Sequence, residues 1–236
     1  MLQITDLLKK FEQPGGGGPL TVLDVPHFAM DAGEQVALIG QSGGGKTTLL
    51  HLIAGILQAT SGSIRLNNLE LTALSEQGRD RFRASNLGYV FQTFNLLPAF
   101  SAIENVRLGM TFGHGRQDSG RAAELLAKVG LADRSGYRPR ELSVGQQQRV
   151  AIARALACEP KLLLADEPTA NVDPASADTV LNLIMDSCRD ENIALLMVTH
   201  DMDIAARFSR VVRLDEINRA LQTEVDDTLP MAGGTR

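Results

Sequence analysis

Cysteine is scarce in this chain: Cys158 and Cys188 are the only two in 236 residues, and they form no CxxC pair. That excludes a disulfide scaffold and a zinc-binding cysteine set, and it predicts two buried, inert thiols in a reducing compartment. Long apolar runs are missing as well. No stretch approaches the roughly 20 consecutive apolar residues that span a bilayer, so Ile193-Ala194-Leu195-Leu196-Met197-Val198 reads as a strand and any membrane role has to come through a partner. Nor is there an excess of basic charge. Lys and Arg number 23 against 28 Asp and Glu, a formal net charge of −5, which argues against wrapping a nucleic acid, and no nucleic-acid partner is expected. The start, Met1-Leu2-Gln3-Ile4-Thr5-Asp6, lacks the basic beginning and apolar middle of a signal peptide, which predicts a protein made and kept in the cytosol.

What the chain does have is Gly40-Gln41-Ser42-Gly43-Gly44-Gly45-Lys46-Thr47-Thr48, set between an apolar run that reads as a strand and one that reads as a helix. A phosphate-binding loop requires that context. The glycines let successive backbone N–H groups curl around an anion, the helix behind points its positive end at the same spot, and Lys46 supplies a mobile cation for the β and γ phosphates. Thr47 is placed to offer its hydroxyl to Mg²⁺. Composition fits such a domain: 44% of residues are hydrophobic and 22% charged, and 236 residues bury a substantial core as one large domain or a domain with a subdomain.

Residues 1–39 show short alternating segments broken by Pro14-Gly15-Gly16-Gly17-Gly18-Pro19, a loop between two strands; no GK[ST] follows it, so it is not a second phosphate cradle. Leu49 to Leu57 read as the helix behind the phosphate loop, Ser61-Gly62-Ser63 as a turn into a strand over Ile64 to Leu66, and Leu87 to Phe91 as a strand ending at Gln92. From Thr93 to about Ala157 helical spacing takes over, with Ala122, Leu125, Leu126 and Val129 and again Val150, Ala153 and Leu156. Strand signals return with Leu162 to Leu164, Ile193 to Val198 and Val211 to Leu214. Strands near both ends with helices inserted between them predict an α/β nucleotide-binding core with a mainly parallel sheet, carrying a helical subdomain at about 93–157. The polar tail after Arg219, ending Gly233-Gly234-Thr235-Arg236, reads as mobile.

Leu162-Leu163-Leu164-Ala165-Asp166-Glu167 puts two carboxylates at the C-terminal edge of an apolar strand, where open α/β sheets bind ligands. Asp166 is suited to hold Mg²⁺, directly or through water, and Glu167 to act as general base on the attacking water. Leu142-Ser143-Val144-Gly145-Gln146-Gln147-Gln148-Arg149 opens a helix with Ser143 and Gln146 spaced as a capping box, and such a helix start is also an anion site.

With these pieces in order, the chain resembles the ATP-binding subunit of an ATP-binding-cassette (ABC) transporter from near residue 1 to about residue 220. Leu142 to Gln146 is similar to the LSGGQ signature with Val144 in place of a glycine; Gln92 matches the Q-loop, Pro168 to Asp173 the DEPT segment and D-loop, and Thr199-His200-Asp201 the H-loop. The resemblance implies a P-loop NTPase core over residues 1–236 with an added antiparallel β subdomain. It also implies ATP and Mg²⁺ as cofactors, and a head-to-tail homodimer in which each ATP lies between one phosphate loop and the partner's Ser143, Gly145 and Gln146, with Asp173 nearby. Glu167, His200 and Gln92 would be catalytic, His200 contacting the γ-phosphate from a strand end and Gln92 reaching Mg²⁺ or water while relaying motion to the permease, and Thr47, Asp166 and Gln92 would hold the metal. Asp173 before Pro174 also reads as an N-cap. Phe11 is the candidate to stack on adenine, with a core role as the alternative, and His27, His51 and His114 read as structural. An integral-membrane permease is the implied partner, with the chain peripheral on the cytoplasmic face of the inner membrane. The sequences at Phe91 to Pro98, Glu104-Asn105-Val106 and Leu164 to Pro168 look most like the lipoprotein-release and macrolide-export group, and methionine-import and cell-division types share much of this. A nucleotide-gated regulator of the cell-division type, signalling without transport, is the alternative function.

Overall fold

Alternation builds the first sheet. In β1 (Leu2–Phe11) Leu2, Ile4 and Leu7 are buried while Gln3, Thr5 and Asp6 face solvent, the pattern of a sheet covered on one side. β1 pairs antiparallel with β2 (Leu20–Met30), from Leu2 opposite Met30 to Phe11 opposite Leu20, and the glycine-rich stretch joins them as read from the sequence. The computed structural model describes all residues except 14, 17, 112–117 and 227–236. The chain then leaves for a second sheet with β3 (Gln35–Ile39) and α1 (Lys46–Ile53), and returns with β4 (Ser61–Leu66) and β5 (Leu69–Glu70) to complete the order β2-β1-β4-β5.

After α2 (Glu76–Asn86) comes β6 (Leu87–Val90), then three helices, α3 (Ala102–Thr111), α4 (Ser119–Lys128) and α5 (Val144–Leu156). The remainder alternates as β7 (Leu162–Asp166), α6 (Pro174–Asp190), β8 (Ala194–Val198), α7 (Met202–Ala205), β9 (Arg210–Arg213), α8 (Leu214–Ile217) and α9 (Arg219–Asp226). The five strands β6-β7-β8-β3-β9 are all parallel. Every residue of β7 and β8 is buried, as unbroken apolar runs require when both faces of a sheet are covered. Successive residues serve opposite faces: Leu163, Ala165, Leu195 and Met197 join the core under α3 to α6, whereas Leu162, Leu164, Leu196 and Val198 join the core shared with α1 and the antiparallel sheet. The phosphate-loop strand β3 therefore lies inside the sheet, with its C-terminal end at the level of those of β7 and β8.

Several boundaries differ from the sequence reading. The helix expected over Leu49 to Leu57 runs from Lys46 to Ile53, because Gly45 at φ +99° turns the chain straight into the helix. Ser61-Gly62-Ser63 is strand rather than turn, since Ser61 and Ser63 pair with Leu8 and Thr5 of β1. The strand expected to reach Gln92 ends at Val90. The tail expected to be mobile from Arg219 forms α9, and its end, Gly233 to Arg236, lies outside the described residues. Fully buried Asn218 explains the order: its Oδ1 accepts the Asp24 N–H at 2.8 Å and its Nδ2 donates to the Val22 carbonyl at 3.0 Å, stapling the α8–α9 junction to β2.

Candidate active site

The phosphate loop closes on β2. A Cβ added at Gly45 would lie 3.1 Å from Leu23 Cδ2 and 3.2 Å from Val22 Cγ1, so the loop packs closely there. Lys46 is buried and its Nζ donates to the carbonyls of Gly40 and Gln41, each at 2.8 Å, which keeps the ammonium against the loop. Among the described residues no side chain caps α1, which leaves its first-turn N–H groups to an anion. Gly40, Ser42, Gly43, Gly44, Gly45, Lys46, Thr47 and Thr48 thus form one continuous turn into the helix, as expected.

Beside the loop, Asp166 ends β7 and is buried, with the Thr47 hydroxyl close enough to favour its ionised carboxyl. Burial pushes that carboxyl above the ordinary range and the Glu167 charge adds to the push, while the Thr47 hydroxyl, His51 and Lys46 pull the other way. A hydroxyl and a buried carboxylate are hard oxygen donors, and the pair fits Mg²⁺. Glu167 turns away through a left-handed backbone at φ 46°, a conformation that costs a non-glycine residue on the order of 1 kcal/mol. Its N–H donates to Val198 at 3.0 Å, and its Oε1 lies 2.8 Å from His200 Nδ1. Adjacent residues therefore have different surroundings: Asp166 meets the phosphate loop and Glu167 meets the histidine at the end of β8.

The helix α5 begins with the reciprocal box read from the sequence: Ser143 Oγ accepts from Gln146 N at 3.3 Å and Gln146 Oε1 accepts from Ser143 N at 2.9 Å. Val144 is 47% exposed, so its side chain sits on the open helix start. A Cβ on Gly145 would stand 3.6 Å from Ser176 and 3.9 Å from Val172, which sets this turn against the start of α6. Among the described residues, no hydrogen bond of Ser143 or Gly145 reaches the phosphate loop. Asp173 caps α6 by accepting from Ser176 N at 3.0 Å, with Pro174 as the first helical residue. Gln92 is exposed, and its carbonyl accepts from Asn171 Nδ2 at 2.8 Å. Phe11, at 38% exposure, is not in the core; Lys9 Nζ stands 4.7 Å over its ring.

Residues 23–170 match the family profile described as ABC transporter. The chain belongs to the ABC transporter family. Curated relatives include "Lipoprotein-releasing system ATP-binding protein LolD 1" of Rhodospirillum rubrum, 46% identical over 91% of this chain and 95% of that protein. Another is "Lipoprotein-releasing system ATP-binding protein LolD 2" of Rhodopseudomonas palustris, 43% identical over 92% of this chain and 93% of that protein. Among solved structures, the ATP-binding cassette MJ0796, in a dimeric post-hydrolysis state bound to ADP and Pi, superposes with a TM-score of 0.82 at 31% identity, covering 90% of this chain and 94% of that chain.

As an ABC ATPase, the chain brings Lys46, Thr47, Asp166, Glu167 and His200 together within one protomer and leaves Ser143, Gly145 and Gln146 apart against α6. His27 is exposed on β2 and His51 lies 5.9 Å from the Tyr89 ring; His114 lies outside the described residues. Both cysteines are buried, with burial pushing Cys158 up to about 11 and Cys188 up to about 12, in keeping with inert thiols. Sequence reasoning missed three side chains that hold this ATPase's loops, Gln148, Arg154 and Asn171, because each acts by donating to a backbone carbonyl at least 20 residues away.

Proposed function

We propose that this ABC ATPase binds ATP with Mg²⁺ as a head-to-tail homodimer on the cytoplasmic face of a membrane and powers a separate permease that extracts lipoprotein. The unit extends over residues 1–236, with a helical subdomain at about 93–157. Support for hydrolysis rests on one observation, the Glu167–His200 pair at 2.8 Å standing next to buried Asp166 at the strand ends beside the phosphate loop. Support for the substrate class rests on the lipoprotein-releasing relatives, 43–46% identical over nearly the whole chain. These relatives favour lipoprotein release over the cell-division alternative.

In this reading Lys46 leaves the carbonyls of Gly40 and Gln41 for the β and γ phosphates. Thr47, Asp166 and Gln92 would hold Mg²⁺, which would supply positive charge to offset that of the phosphate oxygens. Glu167 takes a proton from water as its oxygen attacks the γ-phosphorus, and the bond from that phosphorus to the bridging oxygen of ADP breaks. His200 keeps the Glu167 carboxylate oriented. Phe11 offers its exposed ring to adenine, Asp173 borders the nucleotide, and the partner's Ser143, Gly145 and Gln146 close the site with N–H groups of a helix start.

Purifying the chain with its partner from detergent-solubilised membranes and reconstituting the complex in vesicles tests the transport role. A permease with a large extracytoplasmic domain and ATP-dependent release of a labelled lipoprotein is expected. A stable membrane complex that hydrolyses ATP yet releases no lipoprotein would sink the substrate assignment.

A further inference from the structure

The segment from Gln92 to Leu97 is almost devoid of regular structure, yet its carbonyls are gripped by side chains from three other elements. Asn171, in the D-loop, donates to the Gln92 carbonyl at 2.8 Å. Arg154, near the end of α5, donates through Nη2 to Phe94 at 2.9 Å and through Nη1 to Asn95 at 2.6 Å. Asn105, fully buried on α3, accepts from Leu97 N at 2.8 Å and donates to the carbonyls of Leu97, Phe100 and Ser101. An arginine fork on two successive carbonyls fixes the orientation of the loop, since the planar donors cannot follow one carbonyl without the other. The root of Arg154 is itself immobile: a Cβ on Gly109 of α3 would come within 2.4 Å of the Arg154 carbonyl, so the two helices touch backbone to backbone at that residue.

Gln92 therefore begins, just past β6, a loop whose path is set by the helix that begins at Ser143 and by the segment that follows Glu167. We infer that Arg154 and Asn171 are the positioning residues of Gln92, so that a shift of the signature helix or of the D-loop changes how Gln92 meets metal and water. The inference rests on the reading of Gln92 as the metal- and water-directed group. It gives that residue a second input, from inside the protein, through hydrogen bonds to backbone that a change in loop sequence would not remove.

The test uses the full chain and three variants, Arg154→Lys, Asn171→Asp and Gln92→Ala. Arg154→Lys keeps the charge and loses the fork; Asn171→Asp keeps the shape and replaces the donor with an acceptor. Mn²⁺ affinity is titrated by electron paramagnetic resonance in the presence of a non-hydrolysed ATP analogue, analogue affinity is titrated separately, and kcat is measured with Mg²⁺. We expect all three variants to weaken Mn²⁺ binding by about 3- to 10-fold and to lower kcat by about 10-fold, with analogue affinity changed less than about 2-fold. Parental Mn²⁺ affinity and kcat in both Arg154→Lys and Asn171→Asp, beside an altered Gln92→Ala, would overturn the inference alone. So would losses of analogue affinity in step with kcat, which a purely structural role would give. A Gln92→Ala variant with parental Mn²⁺ affinity would overturn the reading of Gln92, and the inference with it.

Discussion

Gln148 Nε2 donates to the Pro168 carbonyl at 2.6 Å, and the Gln148 side chain is completely buried. Pro168 follows Glu167, so the helix that opens at Ser143 is bonded to the backbone next to the proposed general base. Glu167 is consequently bonded by His200 on its carboxylate and followed by a residue that α5 holds through its carbonyl. A bond of this kind, buried and short, costs on the order of 1–3 kcal/mol to break without replacement.

Glu167→Gln is expected to keep ATP binding and to slow hydrolysis by roughly 10²–10⁴, the range for losing a general base. The amide can still meet His200, so the fold around it stays. An ATP-loaded dimer should then persist on size exclusion. Turnover near the parental rate would exclude the assignment.

Lys46→Ala should act on affinity instead. The ammonium that now donates to Gly40 and Gln41 is the loop's mobile cation, and charge-assisted bonds are worth about 1.5–3 kcal/mol each, so ATP affinity should fall by about 10²-fold or more. Calorimetric titration of nucleotide checks this, and an unchanged dissociation constant would remove Lys46 from the site.

Asp166→Asn separates stability from activity. Burial raises the folded-state pKa of Asp166, so the folded chain holds that proton more tightly than the unfolded chain does. Its stabilising share is present below the ordinary carboxylate pKa of about 3.9 and is lost as pH rises through the raised value. At pH 8 in EDTA, Asp166→Asn should therefore melt higher than the parent. The gap should close as pH is brought down towards 4, and hydrolysis should be absent. An equal melting temperature at pH 8 would show that burial imposes no such cost.

The composite site makes a prediction for mixed dimers of a Ser143→Arg chain with a Lys46→Ala chain. One site then combines the first chain's intact phosphate loop with the second chain's intact signature, and the other carries both lesions. Photo-crosslinked ATP should mark only the Ser143→Arg chain. Label on neither chain of an intact dimer would count against sites shared between protomers.

Asn218→Ala should destabilise the chain by about 1–3 kcal/mol, since it strips partners from the Asp24 N–H and the Val22 carbonyl. Val22 abuts Gly45, so ATP affinity should weaken as well. Thermal melting with nucleotide titration tests both, and a parental melting temperature would mean that α9 is not held by this staple.

Much of the local structure of the candidate site was legible, because a glycine-rich turn into a helix, an apolar strand ending in acids and a capping box each have a fixed local pattern: Gly40 to Thr48 turn into α1, Asp166 ends β7 and Ser143 caps α5. Periodicity marked β7 and β8 for the same reason, as every residue in them is buried. It could not mark α2, whose eleven residues include none that is buried, so no apolar stripe exists to be read. The polar composition after Arg219 was similarly misleading, because a single asparagine 194 residues from its partner Asp24 orders that segment. Arg154 and Asn171 carried no signal at all: the carbonyls they bond lie 59 to 79 residues away and have no side-chain identity.

The order β6-β7-β8-β3-β9 also bears on how the protein is made. The strand that carries the phosphate loop emerges early from the ribosome, but both strands that flank it, β8 and β9, are among the last to be synthesised. Through most of translation β3 therefore has two open edges and an apolar sequence, Val36-Ala37-Leu38-Ile39, the kind of segment that pairs wrongly with other chains. Folding of the nucleotide site has to wait for the release of nearly the whole polypeptide, and premature termination anywhere before residue 194 should yield an aggregating fragment rather than a weaker enzyme.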